Sequence, residues 1–84
     1  MIPLYGFLEG DTLGLLVLAE PTETLGALAR RLEESASTRV APRGSLHVLV
    51  DGRLQRPDLT IADVGLGPLD RFDVRFDGLA EEER

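Results

Sequence analysis

Apolar and polar residues alternate near both ends of the chain, which is the pattern of β-strands. Near the C-terminus, Phe72, Val74 and Phe76 alternate with charged residues, so one face of that segment is expected to be buried and the other exposed. Residues 1–8 and 12–19 are rich in apolar residues and are joined by a Glu-Gly-Asp segment. This arrangement predicts a hairpin of two strands.

Between the two ends, the spacing of the apolar residues becomes helical. Apolar side chains recur every three or four positions at Leu25, Leu28, Ala29 and Leu32. This spacing predicts an amphipathic helix of about three turns. Thr22 or Thr24 can cap its N-terminus, because a threonine hydroxyl accepts a hydrogen bond from the unpaired backbone N–H groups there.

A second group of strands follows the helix. Residues 45–50 alternate as a strand, and Asp51 with Gly52 is a strong hairpin signal. Residues 53–56 fit a short strand that ends before Pro57. A compact turn then leads to the last strand, residues 71–76. The apolar residues of this turn are Leu59, Ile61, Val64 and Leu66.

This order of elements is ββαββ, with a helical turn before the final strand. It predicts an α+β protein of the β-grasp (ubiquitin-like) fold, in which a mixed sheet of four to five strands packs on one α-helix. A chain of 84 residues is expected to form one domain. We assign residues 1–77 to that domain and expect residues 78–84 to be an acidic, frayed tail.

The second strand is apolar on both of its faces. Leu15, Val17 and Ala19 can face the helix, but Leu16 and Leu18 point the other way, and a single helix covers only one face of a sheet. We therefore predict a partner-binding patch on the other face, formed by Leu16, Leu18 and Leu49 with Arg71 and Arg75 at its rim. The alternative is that these leucines are isolated surface residues, which folded proteins carry routinely.

The charge and composition exclude several kinds of partner and compartment. The net charge of −6 argues against nucleic acid and anionic membranes. The apolar runs are far shorter than the roughly 18 residues of a membrane span, and no signal peptide is recognisable, so we expect the cytoplasm. All nine basic side chains are arginine, which is typical of a bacterial genome of high GC content.

The chain offers little for catalysis or for holding a cofactor. It has no cysteine, and its single histidine, His47, has no nucleophile patterned around it. No spacing of ligands predicts a metal site. The C-terminus lacks the Gly-Gly of a conjugated ubiquitin-like modifier. We therefore expect no catalytic, cofactor-binding or metal-binding residue and interpret the chain as a non-enzymatic binding protein.

The sequence also resembles one family, the toluene-4-monooxygenase system protein B family. The resemblance runs through residues 3–11 and 15–17, is most specific in residues 39–43 and 56–68, and ends with residues 73–76. The tract from Leu46 to Pro57 departs from it, because the family is more basic there.

The resemblance implies a ubiquitin-like, non-catalytic γ subunit of a multicomponent diiron hydroxylase. It places the iron centre in the large α subunit and makes the α and β subunits the expected partners. The alternative is a free-standing ubiquitin-like adaptor or regulator, for example of a bacterial secretion-type assembly.

Overall fold

All of the predicted strands form, and they belong to one mixed sheet. The computed structural model describes residues 1–76; the predicted tail, and the domain boundary at residue 77, lie outside these residues. The elements are β1 (Ile2–Leu8), β2 (Gly14–Ala19), α1 (Leu25–Ser35), β3 (Leu46–Val50), β4 (Arg53–Gln55), α2 (Ile61–Val64) and β5 (Arg71–Phe76).

The sheet has the strand order β2-β1-β5-β3-β4. β1 pairs antiparallel with β2 and parallel with β5, and β3 pairs antiparallel with both β5 and β4. The last strand in the sequence therefore lies at the centre of the sheet. This topology, with one main helix, confirms the predicted β-grasp fold.

The core lies between one face of the sheet and α1. The four apolar positions predicted for the helix are all buried, and so are the apolar positions of β5. α1 passes very close to β1 at Gly6: a Cβ atom there would lie 2.6 Å from Cζ of Phe72 and 3.0 Å from both methyl groups of Leu32. The packing of helix on sheet therefore requires glycine at this position.

The local signals for turns and caps are also realised. Thr24 is the N-cap of α1, and its hydroxyl accepts a hydrogen bond from the Ala27 N–H at 3.2 Å. Asp51 and Gly52 both have positive φ, 54° and 76°, as a type I′ hairpin turn requires. Gly65 ends α2 in the left-handed conformation.

Two ion pairs tie the connector before β3 to the turn after β1. The Nε and Nη2 atoms of Arg39 donate to the two carboxylate oxygens of Asp11, at 3.0 and 2.8 Å. Arg43 lies 3.4 Å from Glu9, and its guanidinium carbon lies 4.9 Å from the ring centroid of Phe76. These contacts fix the path of a segment that has no regular structure of its own.

Backbone hydrogen bonds also tie the segment around α2 to the beginning of α1. The N–H groups of Leu25 and Gly26 donate to the carbonyls of Leu59 (2.8 Å) and Pro57 (2.9 Å). The Ile61 N–H donates to the Glu23 carbonyl at 3.0 Å. The first turn of α1 thus obtains partners for N–H groups that a helix cannot satisfy internally.

Candidate partner-binding face

The sheet face opposite α1 carries several exposed apolar side chains. We call it the outer face. Alternation along the strands, together with the pairing register, gives it Pro3, Tyr5, Phe7, Leu16, Leu18, His47, Leu49, Leu54, Arg71, Asp73 and Arg75. Leu54 is 66% exposed, Leu16 57%, Leu18 50% and Tyr5 42%. Exposed apolar patches are a common mark of protein interfaces.

The structure places all five residues of the predicted patch on the outer face but does not bring them into one contiguous group. Leu16 lies beside Tyr5, which in turn lies beside Arg71, and Leu18 lies beside Pro3. Leu49, which is half-buried, lies on the far side of β5. The outer face therefore has two apolar areas, one on β1 and β2 and the other on β3 and β4, with the charged residues of β5 between them.

Arg71 lies at the centre of the outer face rather than at its edge. Its Nε donates to Asp73 Oδ1 at 2.8 Å, and its guanidinium carbon lies 4.0 Å from the ring centroid of Phe7. The hydrogen bond to Asp73 raises the pKa of Arg71 above its ordinary value. Arg71 is thus ionised, held in place and locally neutralised.

The position of the Phe7 ring depends on a glycine in the neighbouring strand. Gly14 pairs with Phe7 across β1 and β2, and a Cβ atom at Gly14 would lie 2.5 Å from Cζ of that ring. The ring therefore lies over Gly14, and the Arg71 guanidinium makes a cation–π contact with it. This arrangement partly covers the middle of the outer face with a fixed aromatic side chain.

Sequence reasoning missed four apolar residues of the outer face: Pro3, Tyr5, Phe7 and Leu54. Tyr5 and Phe7 alternate with the buried residues of β1, so the same test of alternation that singled out β2 could have found them. Leu54 lies opposite Leu49 across the hairpin, a pairing that follows from a two-residue turn.

The free edge of the sheet at β2 is covered at one point by α1. Arg31 Nη2 donates to the Leu18 carbonyl at 2.6 Å, and Arg31 Nη1 binds both carboxylate oxygens of Glu23, at 2.7 and 2.8 Å. The guanidinium thus occupies a backbone acceptor that a further strand would otherwise use.

Within residues 1–76, no cluster of three or more histidine, cysteine, aspartate or glutamate side chains is arranged to hold a metal ion. His47 is half-buried on β3, beside Arg75 of β5. Neither helix in this part of the chain is long and apolar enough to cross a membrane.

The family model for Toluene-4-monooxygenase system protein B (TmoB) matches residues 1–76. The chain belongs to this family. The resemblance noted in the sequence is thereby confirmed. Comparison with curated protein sequences gives no match.

Two solved structures are similar to this TmoB-family chain. One is a chain of the "Toluene 4 monooxygenase HD Complex with Inhibitor 4-Bromobenzoate", with 31% identity, a TM-score of 0.84, and coverage of 90% of this chain and 98% of that one. "Caldiarchaeum Subterraneum Ubiquitin" matches with 18% identity, a TM-score of 0.72, and coverage of 90% and 92%. The second likeness shows the shared fold.

The most specific TmoB-like stretches serve the fold. Residues 39–43 contain the two arginines that bind Asp11 and Glu9. Residues 56–68 contain α2 with its capping box and the carbonyls that receive the first N–H groups of α1. None of the five predicted patch residues lies in these two stretches. The residues that most clearly mark the family therefore support the fold, and they do not identify the binding surface.

Proposed function

We propose that this chain is a non-catalytic subunit of a toluene-type multicomponent monooxygenase and that it acts by binding a larger hydroxylase subunit. The observation that carries this proposal is the match to a chain of the toluene 4-monooxygenase HD complex. That match covers 98% of the other chain with a TM-score of 0.84. The likeness therefore extends over a whole small subunit rather than over a shared motif.

The outer face is the surface that we propose for this binding. It has apolar side chains that are 42–66% exposed, and its central arginine is already fixed by Asp73 and Phe7. Binding to a rigid surface loses less conformational entropy than binding to a mobile one. Burial of Leu16, Leu18 and Leu49 would supply the hydrophobic part of the binding free energy.

In this proposal, the larger subunit supplies the oxygen chemistry and this chain supplies buried contact area. We assign no iron ligand to this chain and no contact with the hydroxylated substrate. Its absence would lower the stability or the assembly of the hydroxylase. We propose the cytoplasm as its compartment, since a fold without cysteine does not depend on an oxidising environment.

Affinity purification of the tagged protein from its native host tests the proposal. Mass spectrometry should identify two larger subunits in the eluate, and metal analysis should find iron in a fixed ratio to them. Recovery of an unrelated partner without iron, or of no partner, would contradict the proposal and favour a free-standing ubiquitin-like adaptor.

A further inference from the structure

The hydrogen bonds of β1 decide which backbone groups of β2 are open to another strand. The Pro3 carbonyl accepts from the Leu69 N–H at 2.6 Å, and the Tyr5 N–H donates to the Asp70 carbonyl at 2.9 Å. Both residues thus direct their backbone groups toward the β5 side of β1, and so does Phe7 by alternation. In an antiparallel pair, the residues opposite such positions direct their own N–H and C=O groups outward.

The pairing register places Gly14, Leu16 and Leu18 at these outward positions of β2. The contact of Arg31 confirms the direction, because a side chain from outside the sheet donates to the Leu18 carbonyl at 2.6 Å. Since β2 is at the edge of the sheet, no other strand of residues 1–76 bonds to the outward groups. An edge of this kind can pair with a strand of another chain.

The outward groups are spaced symmetrically about Leu16, which makes β2 complementary to itself. When two copies of β2 run antiparallel with Leu16 opposite Leu16, Gly14 of each copy lies opposite Leu18 of the other. Every outward N–H then meets an outward C=O. The six residues of β2 carry no charge, so this pairing sets no like charges opposite each other, although each chain has a net charge of −6.

The side chains of the outer face fit the same register. The two outer faces lie on the same side of one continuous sheet, so the two Leu16 side chains, each 57% exposed in a single copy, become neighbours. Leu18, which is 50% exposed, meets Gly14 of the other copy. Gly14 has no side chain, and the Phe7 ring lies over it. The pairing therefore buries apolar surface against apolar surface.

We propose that β2 pairs with β2 of a second copy in a two-fold dimer centred on Leu16, and that Arg31 restrains this dimer by occupying the Leu18 carbonyl. In this register, that carbonyl is the acceptor for the Gly14 N–H of the other copy. Glu23 holds the Arg31 guanidinium in place through both carboxylate oxygens, at 2.7 and 2.8 Å. The dimer gains its full set of hydrogen bonds only when Arg31 leaves. This inference does not depend on the proposed function.

Single cysteines test the register, because the chain has no cysteine of its own. In the dimer, the two Cα atoms of residue 16 lie about 5.5 Å apart, as in any hydrogen-bonded antiparallel pair. Those of residue 18 lie on either side of the two-fold axis, roughly 14 Å apart. Leu18→Cys is therefore the matched control for Leu16→Cys, since both replace an exposed leucine of β2.

The full chain carrying either cysteine, with and without Arg31→Ala, is treated with a bifunctional thiol reagent that spans only the shorter distance. Cross-linked dimer is quantified on a denaturing gel over a series of protein concentrations. Sedimentation equilibrium of the untreated proteins gives the Kd of the dimer.

We expect Leu16→Cys to give cross-linked dimer in a yield that rises with concentration, and Leu18→Cys to give only a trace. Arg31→Ala should raise the Leu16→Cys yield and lower the dimer Kd about tenfold, because an acceptor is regained in each copy. Equal yields from the two cysteines would overturn the register. An absence of dimer in Leu16→Cys with Arg31→Ala would overturn the pairing, and an unchanged Kd would overturn the role of Arg31. The proposed function is judged separately, by affinity purification.

Discussion

Asp11 and Arg39 form the ion pair that most clearly supports the fold at the scale of single residues. The Asp11 side chain is only 1% exposed and receives two hydrogen bonds from Arg39. These bonds hold the pKa of Asp11 below its ordinary value of 3.8. A carboxylate with a lowered pKa in the folded state stabilises the protein above its ordinary pKa, and this contribution disappears as the pH falls through the lowered value.

We therefore expect Arg39→Ala to lower the free energy of unfolding at pH 7 and to lose this deficit in acid. Urea unfolding of wild type and variant at a series of pH values between 7 and 2 measures it. Arg53→Ala, which changes an exposed arginine of β4, should show no comparable deficit at any pH. A deficit in Arg39→Ala that stays constant down to pH 2 would mean that the ion pair is not its source.

Gly6 offers a second test at the residue scale. A methyl group there would overlap Phe72 and Leu32 in the core, so Gly6→Ala should reduce the free energy of unfolding by about 1–3 kcal/mol. Gly67→Ala is the control, since the nearest atom to its added Cβ, Asp70 Oδ2, lies 3.7 Å away. Chemical denaturation of both variants should separate them, and equal stabilities would contradict the close approach of α1 to β1.

At the scale of elements, α1 stabilises the sheet through one apolar stripe. Leu28 is fully buried in that stripe, and Leu28→Ala would leave a cavity between helix and sheet. We expect it to lower the free energy of unfolding by roughly 2–4 kcal/mol, measured by urea unfolding at neutral pH. A loss of less than about 1 kcal/mol would mean that the helix repacks over the cavity.

The sequence was sufficient to predict the elements, because each has a local physical signal. The alternation of Phe72, Val74 and Phe76 defined β5, and helical spacing around Leu28 defined α1. Asp51 with Gly52 defined the hairpin of β3 and β4. Such signals depend only on residues close together in the chain, so one sequence is enough to read them.

The arrangement of the outer face needed the structure. The parallel pairing of β1 with β5 joins segments that are far apart in the sequence, and it moves Arg71 from the expected edge to the centre of the face. Tyr5 then lies between Leu16 and Arg71, and Leu49 lies across β5. Leu69 also has a positive φ of 67°, which no local sequence signal predicts, since turn chemistry favours glycine there.

At the scale of the whole molecule, the core and the outer face should respond to substitution in different ways. We expect Leu16→Asp and Leu49→Asp to leave the domain folded, as judged by circular dichroism, and to abolish binding to the larger hydroxylase subunits. A charge there would be desolvated without a partner on binding. Unfolding of either variant would place that leucine in the core; full binding would exclude it from the interface.

The contact between Arg31 and the Leu18 carbonyl has a consequence for the subunit before assembly. β2 is an edge strand whose six residues include no charge and no proline, a composition that promotes pairing between copies. Arg31→Ala should therefore sediment as larger species as its concentration rises, while Arg30→Ala, an exposed neighbour on α1, should behave like the wild type. On this expectation, the Arg31 guanidinium limits edge-to-edge pairing between copies that have not yet assembled.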